Sequence, residues 1–143
     1  MAGIDFGADI PFIQLLGFEL ESWEAGESTI RYPATPQHTN SFGVAHGGAC
    51  MTLLDVAMAV AARSLQKDMG VITIEMKTSF MKPSRIKIGA LLGKGHVLQR
   101  TKTMAFVEAR IVDAEGHVCA HSTGTFKYVT AAKDLPSHPI STD

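Results

Sequence analysis

Between Ala49 and Ala62, twelve of fourteen residues are apolar, and the exceptions are Thr52 and Asp55. The stretch is short of the ~18 apolar residues that mark a membrane span. A helix apolar on every side has to be covered on every side. The spacing predicts a long helix over 47–66 with another layer wrapped around it, and a curved sheet is the natural wrapper.

The rest of the chain supplies that sheet. Val71–Phe80 alternates apolar Ile72, Ile74, Met76 and Phe80 with Thr73, Glu75 and Lys77, the period of a half-buried strand. This parity turns Thr73 away from Ile72 and Ile74. Further strands are predicted over Arg85–Leu98, with Gly89, Gly93 and Gly95 inviting a bend, over Met104–Val112, and over His117–Val129. Two shorter strands fit Phe18–Tyr32 around a turn at Glu24–Glu27, and Ile10–Leu16 fits a short helix with Pro11 at its start and Gly17 at its end. Asp113-Ala114-Glu115-Gly116 reads as a hairpin turn. The expected class is α+β, a mainly antiparallel sheet in which three hairpin-type links join the last four strands. One helix cannot cover both faces of six strands, so an oligomer is expected.

At 143 residues the chain has the length of one domain, and 45% apolar content is ample for a core. With 19% charged residues and a net charge of −1, disordered and basic nucleic-acid-binding classes are excluded. The balance hides an asymmetry. Residues 1–30 carry six acids and no lysine or arginine, whereas residues 76–107 carry seven bases and no acid, a field that favours a small phosphorylated ligand. The N-terminus lacks the basic start of a signal peptide, and Cys50 and Cys119 have no CxxC spacing. A reduced, cytoplasmic setting is expected, with no membrane and no nucleic acid. Residues 131–143 read as a frayed tail.

Asp55 is the most informative residue. A lone carboxylate in an apolar helix is expensive to bury, so it either pairs with a base or does chemistry. Apolar surroundings would raise its pKa and make it a better general base. His46-Gly47-Gly48 opens the same helix, where two glycines leave backbone N–H groups accessible at the positive end of the helix dipole. That arrangement suits an oxygen that becomes negative during acyl transfer. Asn40, in the preceding loop, could hold a water or a carbonyl. Gly47 and Asp55 are eight residues apart, about 12 Å along a helix and about 80° around it. Reacting atoms must come within ~3–3.5 Å, so one helix cannot supply both groups to one substrate. A two-fold dimer can. Of the histidines, His117 and His121 share a strand face without a clear third ligand, so no metal is expected.

Residues 40–59, N-S-F-G-V-A-H-G-G-A-C-M-T-L-L-D-V-A-M-A, resemble the hotdog-fold acyl-CoA thioesterases. The subgroup is that of the phenylacetic-acid-degradation thioesterases and their mammalian relatives. The similarity continues through Gly70–Met76, the D-x-x-G turn and Cys119–Phe126, and covers about 12–129. It implies a single hotdog domain whose sheet wraps the helix. It also implies homodimers joined sheet to sheet, often paired into homotetramers, and hydrolysis of an acyl-CoA without metal or cofactor. In that pattern Asp55 is the catalytic carboxylate, Gly47 offers the N–H that polarises the thioester carbonyl, and His46 orients the loop. Asn40 positions water or substrate, and Thr73 assists the carboxylate. Lys82, Arg85, Arg100, Lys102 and one of His121 and Ser122 become candidates for the CoA contacts, although the turn Arg100-Thr101-Lys102 lacks the family's glycine. Two other readings remain open at this point: a non-catalytic acyl-CoA-binding protein, and a hotdog dehydratase or hydratase.

Overall fold

A computed structural model describes residues 5–130; the tail expected at 131–143 lies outside the described residues. Helix α1 (Pro11–Leu16) starts on its proline and closes at Gly17, whose left-handed backbone (φ 76°) returns an N–H to Ile13 and Gln14. Strands β1 (Glu19–Glu24) and β2 (Glu27–Tyr32) follow. They are joined by a two-residue turn in which both Ala25 (φ 55°) and Gly26 (φ 82°) are left-handed, the geometry that matches strand twist. After a loop come α2 (Gly47–Arg63), β3 (Gly70–Phe80), β4 (Leu91–Arg100), β5 (Met104–Val112) and β6 (Val118–Val129).

All six strands form one antiparallel sheet in the order β1-β2-β4-β5-β6-β3. This corrects the sequence reading in two places. First, β3 pairs with β6 at one edge of the sheet, so the β3–β4 link is a crossover and only two of the last three links are hairpins. Second, Arg85–Ala90 is not strand, and β4 begins at Leu91. The crossover explains this. Pro83 has no N–H to give a ladder, Met81 and Lys82 both donate to the Cys119 carbonyl (2.9 and 3.0 Å), and Gly89 adopts φ 139°. Residues 81–90 are spent travelling between distant strands.

The sheet curves around α2, and Leu53, Leu54, Ala57, Met58, Ala61 and Ala62 are completely buried there. The helix is not covered on every side, as its composition had suggested. Met51, Asp55, Val56 and Ala59 form a stripe that stays partly open. No helix among the described residues is long and apolar enough to cross a membrane.

Helix and sheet approach so closely that β4 has no room for side chains beneath α2. A Cβ on Gly95 would lie 2.3 Å from the Ala57 carbonyl oxygen, and one on Gly93 would lie 2.8 Å from Leu53 Cγ. The Ala57 carbonyl also accepts a 2.6 Å hydrogen bond from Ser28 Oγ, and the Ala62 carbonyl one of 2.6 Å from the Tyr128 hydroxyl. Gly93 and Gly95 therefore serve contact rather than bending. Gly95→Ala should cost about 1–3 kcal/mol, the usual range for overpacking a core. Urea unfolding checks this, and a midpoint equal to that of the wild type would show that the helix can lift away freely.

Candidate active site

The N-terminus of α2 is positioned by the loop before it. That loop folds back on itself through a Thr39–Ala45 bridge, with Asn40 N–H donating to Val44 O (2.9 Å) and His46 N–H to His38 O (2.8 Å). His38 stacks on buried Tyr32 with ring centroids 5.6 Å apart, and Ala45 N–H reaches Ser84 O in the crossover (3.0 Å). His46 is the N-cap, its Nδ1 accepting the Gly48 N–H at 2.8 Å. The His46 ring thus spends this acceptor on the first turn of α2. The Gly47 N–H has no acceptor among the described residues and stands at the positive end of the helix.

Asn40 is similarly committed. Its Oδ1 accepts the N–H groups of Phe42 (2.9 Å) and Val44 (3.4 Å), so the amide nitrogen is the end left to act as a donor. Asn40 and Gly47 line a pocket of about 690 Å³ with Phe42, Val44, Cys50 and Phe80. Lys82 and Arg85 stand at its rim. The apolar wall, above all Phe42 and Phe80, was not singled out in the sequence. Both are largely exposed, and nothing in a hydrophobic period marks a pocket wall.

Asp55 is not in that pocket. It sits two turns further along α2, where its Oδ1 accepts a 2.6 Å hydrogen bond from Thr73 Oγ1. Strand parity had turned Thr73 the other way. The register shifts between Thr73 and Glu75, a bulge at Ile74 that reverses the alternation. Thr73 lies opposite buried Phe126, and Met76 opposite Gly124, so both face the helix, while Ile74 is left 52% exposed. No cation pairs with Asp55 among the described residues. Burial pushes its pKa up, and the Thr73 hydroxyl offsets this in part.

The remaining basic candidates separate. Arg100 and Lys102 line a different hollow with Leu65 and Gln66, beyond the far end of α2. His121 lies on the outer face of the sheet against Glu108 (3.3 Å). Its neighbour Ser122 is fully buried on the inner face, bonded to Lys77 O (2.9 Å) and Thr78 Oγ1 (3.0 Å). The two cannot meet a common ligand in this chain. No group of three or more His, Cys, Asp or Glu side chains among the described residues is arranged to hold a metal ion.

Residues 42–120, more than half of the chain, match the thioesterase superfamily. A candidate esterase of Saccharolobus solfataricus is 30% identical over 111 residues, covering 78% of this chain and 73% of its own length. The chain belongs to the thioesterase superfamily. This hotdog thioesterase superposes on a conserved protein of Pseudomonas aeruginosa with a TM-score of 0.79 at 27% identity, over 86% of this chain and 97% of the other. The PaaI protein of the phenylacetic acid degradation operon of E. coli has the same fold, with a TM-score of 0.78 at 21% identity over 85% and 86% of the two chains.

The raised pKa of Asp55 has a sign that can be tested. A carboxyl whose pKa is higher in the folded chain than in the unfolded chain favours folding only when protonated. Its ionisation opposes folding as pH rises through the ordinary carboxylate range, and the penalty is complete once pH passes the folded-state pKa. Asp55→Asn should therefore raise the melting temperature by a few degrees at pH 7, and the gain should vanish near pH 3. A gain that is equal at both pH values would mean that the carboxylate is not penalised by burial.

Proposed function

We propose that this thioesterase hydrolyses acyl-CoA, acts as one hotdog domain in the cytoplasm, and builds each active site from two chains. The observation that carries the reading is Asp55, an ionisable group on an apolar helix that has a hydroxyl partner and, among the described residues, no cation. In this reading the thioester carbonyl rests on the Gly47 N–H, with the Asn40 amide nitrogen as a second donor. Asp55 either takes a proton from the attacking water or attacks the carbonyl itself, forming an anhydride that water then opens. Both routes release a carboxylic acid and the thiol of CoA.

A single chain keeps the two halves apart, since Asp55 lies outside the pocket that holds Gly47 and Asn40. The free edge of β3 supports pairing with a second copy. It carries no strand partner on that side among the described residues, and Ile74, Phe80 and Met81 are more than half exposed along and just beyond it. Two chains joined there as a homodimer would bring the open stripes of their α2 helices together. The remaining outer sheet face leaves a homotetramer possible as a pair of such dimers. Lys82 and Arg85 would receive CoA phosphates at the pocket of their own chain. Arg100 and Lys102 could serve only a ligand reaching from a neighbouring copy. The two cysteines are free thiols, in keeping with a reducing compartment.

Thiol release from a panel of acyl-CoAs tests the activity. Asp55→Asn should lower it by at least ~10² without loss of fold, and activity within a few-fold of wild type would remove Asp55 from the mechanism. Co-expression tests the shared site. In a random mixture of Asp55→Asn and Asn40→Ala chains, half of the dimers are mixed and each regains one intact site of two. About a quarter of wild-type activity should return in this symmetric-dimer scheme. Mixed dimers that stay inactive while both parents are folded would mean that each chain works alone.

A further inference from the structure

The rim of the Gly47 pocket carries its own counter-charge. Arg85 Nη2 lies 3.3 Å from Glu115 Oε2, with both side chains about half exposed, so the pair is within reach of a ligand entering the pocket. Glu115 is held there by its turn. Asp113 Oδ1 accepts the N–H groups of Glu115 (2.9 Å) and His117 (3.0 Å), and Asp113 O accepts that of Gly116 (3.0 Å). Burial alone would raise the Asp113 pKa. The N–H groups of His117 and Glu115, with the charges of His117 and Lys82, hold it low instead, so Asp113 remains an anion. His117 Nδ1 completes the cluster, 3.5 Å from Asp113 and 3.8 Å from Glu115.

The turn between β5 and β6 thus sets two carboxylates against two rim cations, Lys82 and Arg85. Asp113 cannot be changed without dismantling the turn. Glu115 gives the turn its N–H, which a change of side chain leaves in place, and its carboxylate sits on Arg85, the guanidinium among the pocket-lining residues, which can grip a phosphate bidentately. An arriving phosphate competes with it for Nη2.

We propose that Glu115 limits the affinity of the rim for the phosphates of the CoA carrier by occupying Arg85 in the free protein. The proposal rests on the acyl-CoA reading above. Glu115 touches no reacting atom and is a specificity-setting residue. It keeps the nucleotide end of substrate and product weakly held, so that free CoA can leave. Removing its charge raises the positive potential at Arg85 and frees the guanidinium.

Two measurements on the intact protein test this and separate it from the reading beneath it. In the first, binding of adenosine 3′,5′-bisphosphate is followed by calorimetry, without turnover. Glu115→Gln should tighten it about two- to five-fold, the scale of an exposed ion pair. Arg85→Ala should weaken it, and adding Glu115→Gln to Arg85→Ala should then change nothing further. In the second, KM and kcat are measured for one acyl-CoA and for the same acyl group on a thiol lacking the nucleotide. Glu115→Gln should lower KM and the product-inhibition constant for the CoA substrate alone and leave its kcat in place. Equal nucleotide affinity of wild type and Glu115→Gln, weaker binding by Glu115→Gln, or an Arg85→Ala chain that still responds to Glu115→Gln would overturn the proposal. Failure of the wild type to release thiol from any acyl-CoA would instead overturn the acyl-CoA reading.

Discussion

The close seating of α2 on the sheet governs everything else in this molecule. The Ala57 carbonyl lies where a β4 side chain would otherwise be, and only the missing Cβ of Gly95 leaves room for it. Ser28 Oγ then supplies a hydrogen bond to the same oxygen at 2.6 Å. A helix held this tightly cannot slide or roll. Its first turn stays against the 38–46 loop, where the Gly47 N–H has no acceptor among the described residues, and its middle presents Asp55 to Thr73. Packing at the core and chemistry at the site are thus one constraint applied at different points along one rod.

Much of this was legible because helix and strand periods rarely imitate one another. The Pro11 start and Gly17 stop and the Asp113–Gly116 turn each report a local requirement and are met as read, and the largely apolar stretch of 49–62 is helical, although the helix ends at Arg63 rather than Gln66 and keeps one side partly open. What could not be read depends on partners distant in sequence. The crossover at 81–90 is of this kind. The apolar residues Ile86 and Ile88 look like the start of a strand, but the strand they would extend has neighbours on both sides from other parts of the chain, and the ladder begins only at Leu91. That β3 belongs beside β6 is a property of closure, which no local pattern encodes.

The bulge at Ile74 shows the same limit at a single residue. Strict alternation puts Thr73 on the face opposite Ile72 and Ile74, and before the bulge this holds, since Thr73 shares the inner face with Val71. The error lay in carrying the period through Ile74 to Met76 and Phe80, which assigned the inward direction to the wrong parity. One unpaired residue in the ladder lets a strand offer a hydroxyl to the helix at one level and an apolar side chain, Met76, three residues further on. Bulges are enriched beside functional sites for this reason, and here the bulge lies next to the only side chain that touches Asp55 through a hydrogen bond among the described residues.

The two groups of α2 that the proposed reaction uses are, among the described residues, two unmet demands. At one end of α2 an N–H lacks an acceptor, and in its middle a carboxylate lacks a cation and is disfavoured by burial. Within one chain neither can satisfy the other, because the helix that carries both is rigid and separates them by more than two turns. A flexible loop could have closed such a gap; a helix locked against Gly95 cannot. In the proposed reaction the substrate answers both demands, with its carbonyl oxygen at Gly47 and a water or the carbonyl carbon at Asp55. For one substrate to reach both groups, the second must come from another helix. The stiffness that makes the fold secure within one chain is therefore also the physical reason that the proposed catalysis needs two.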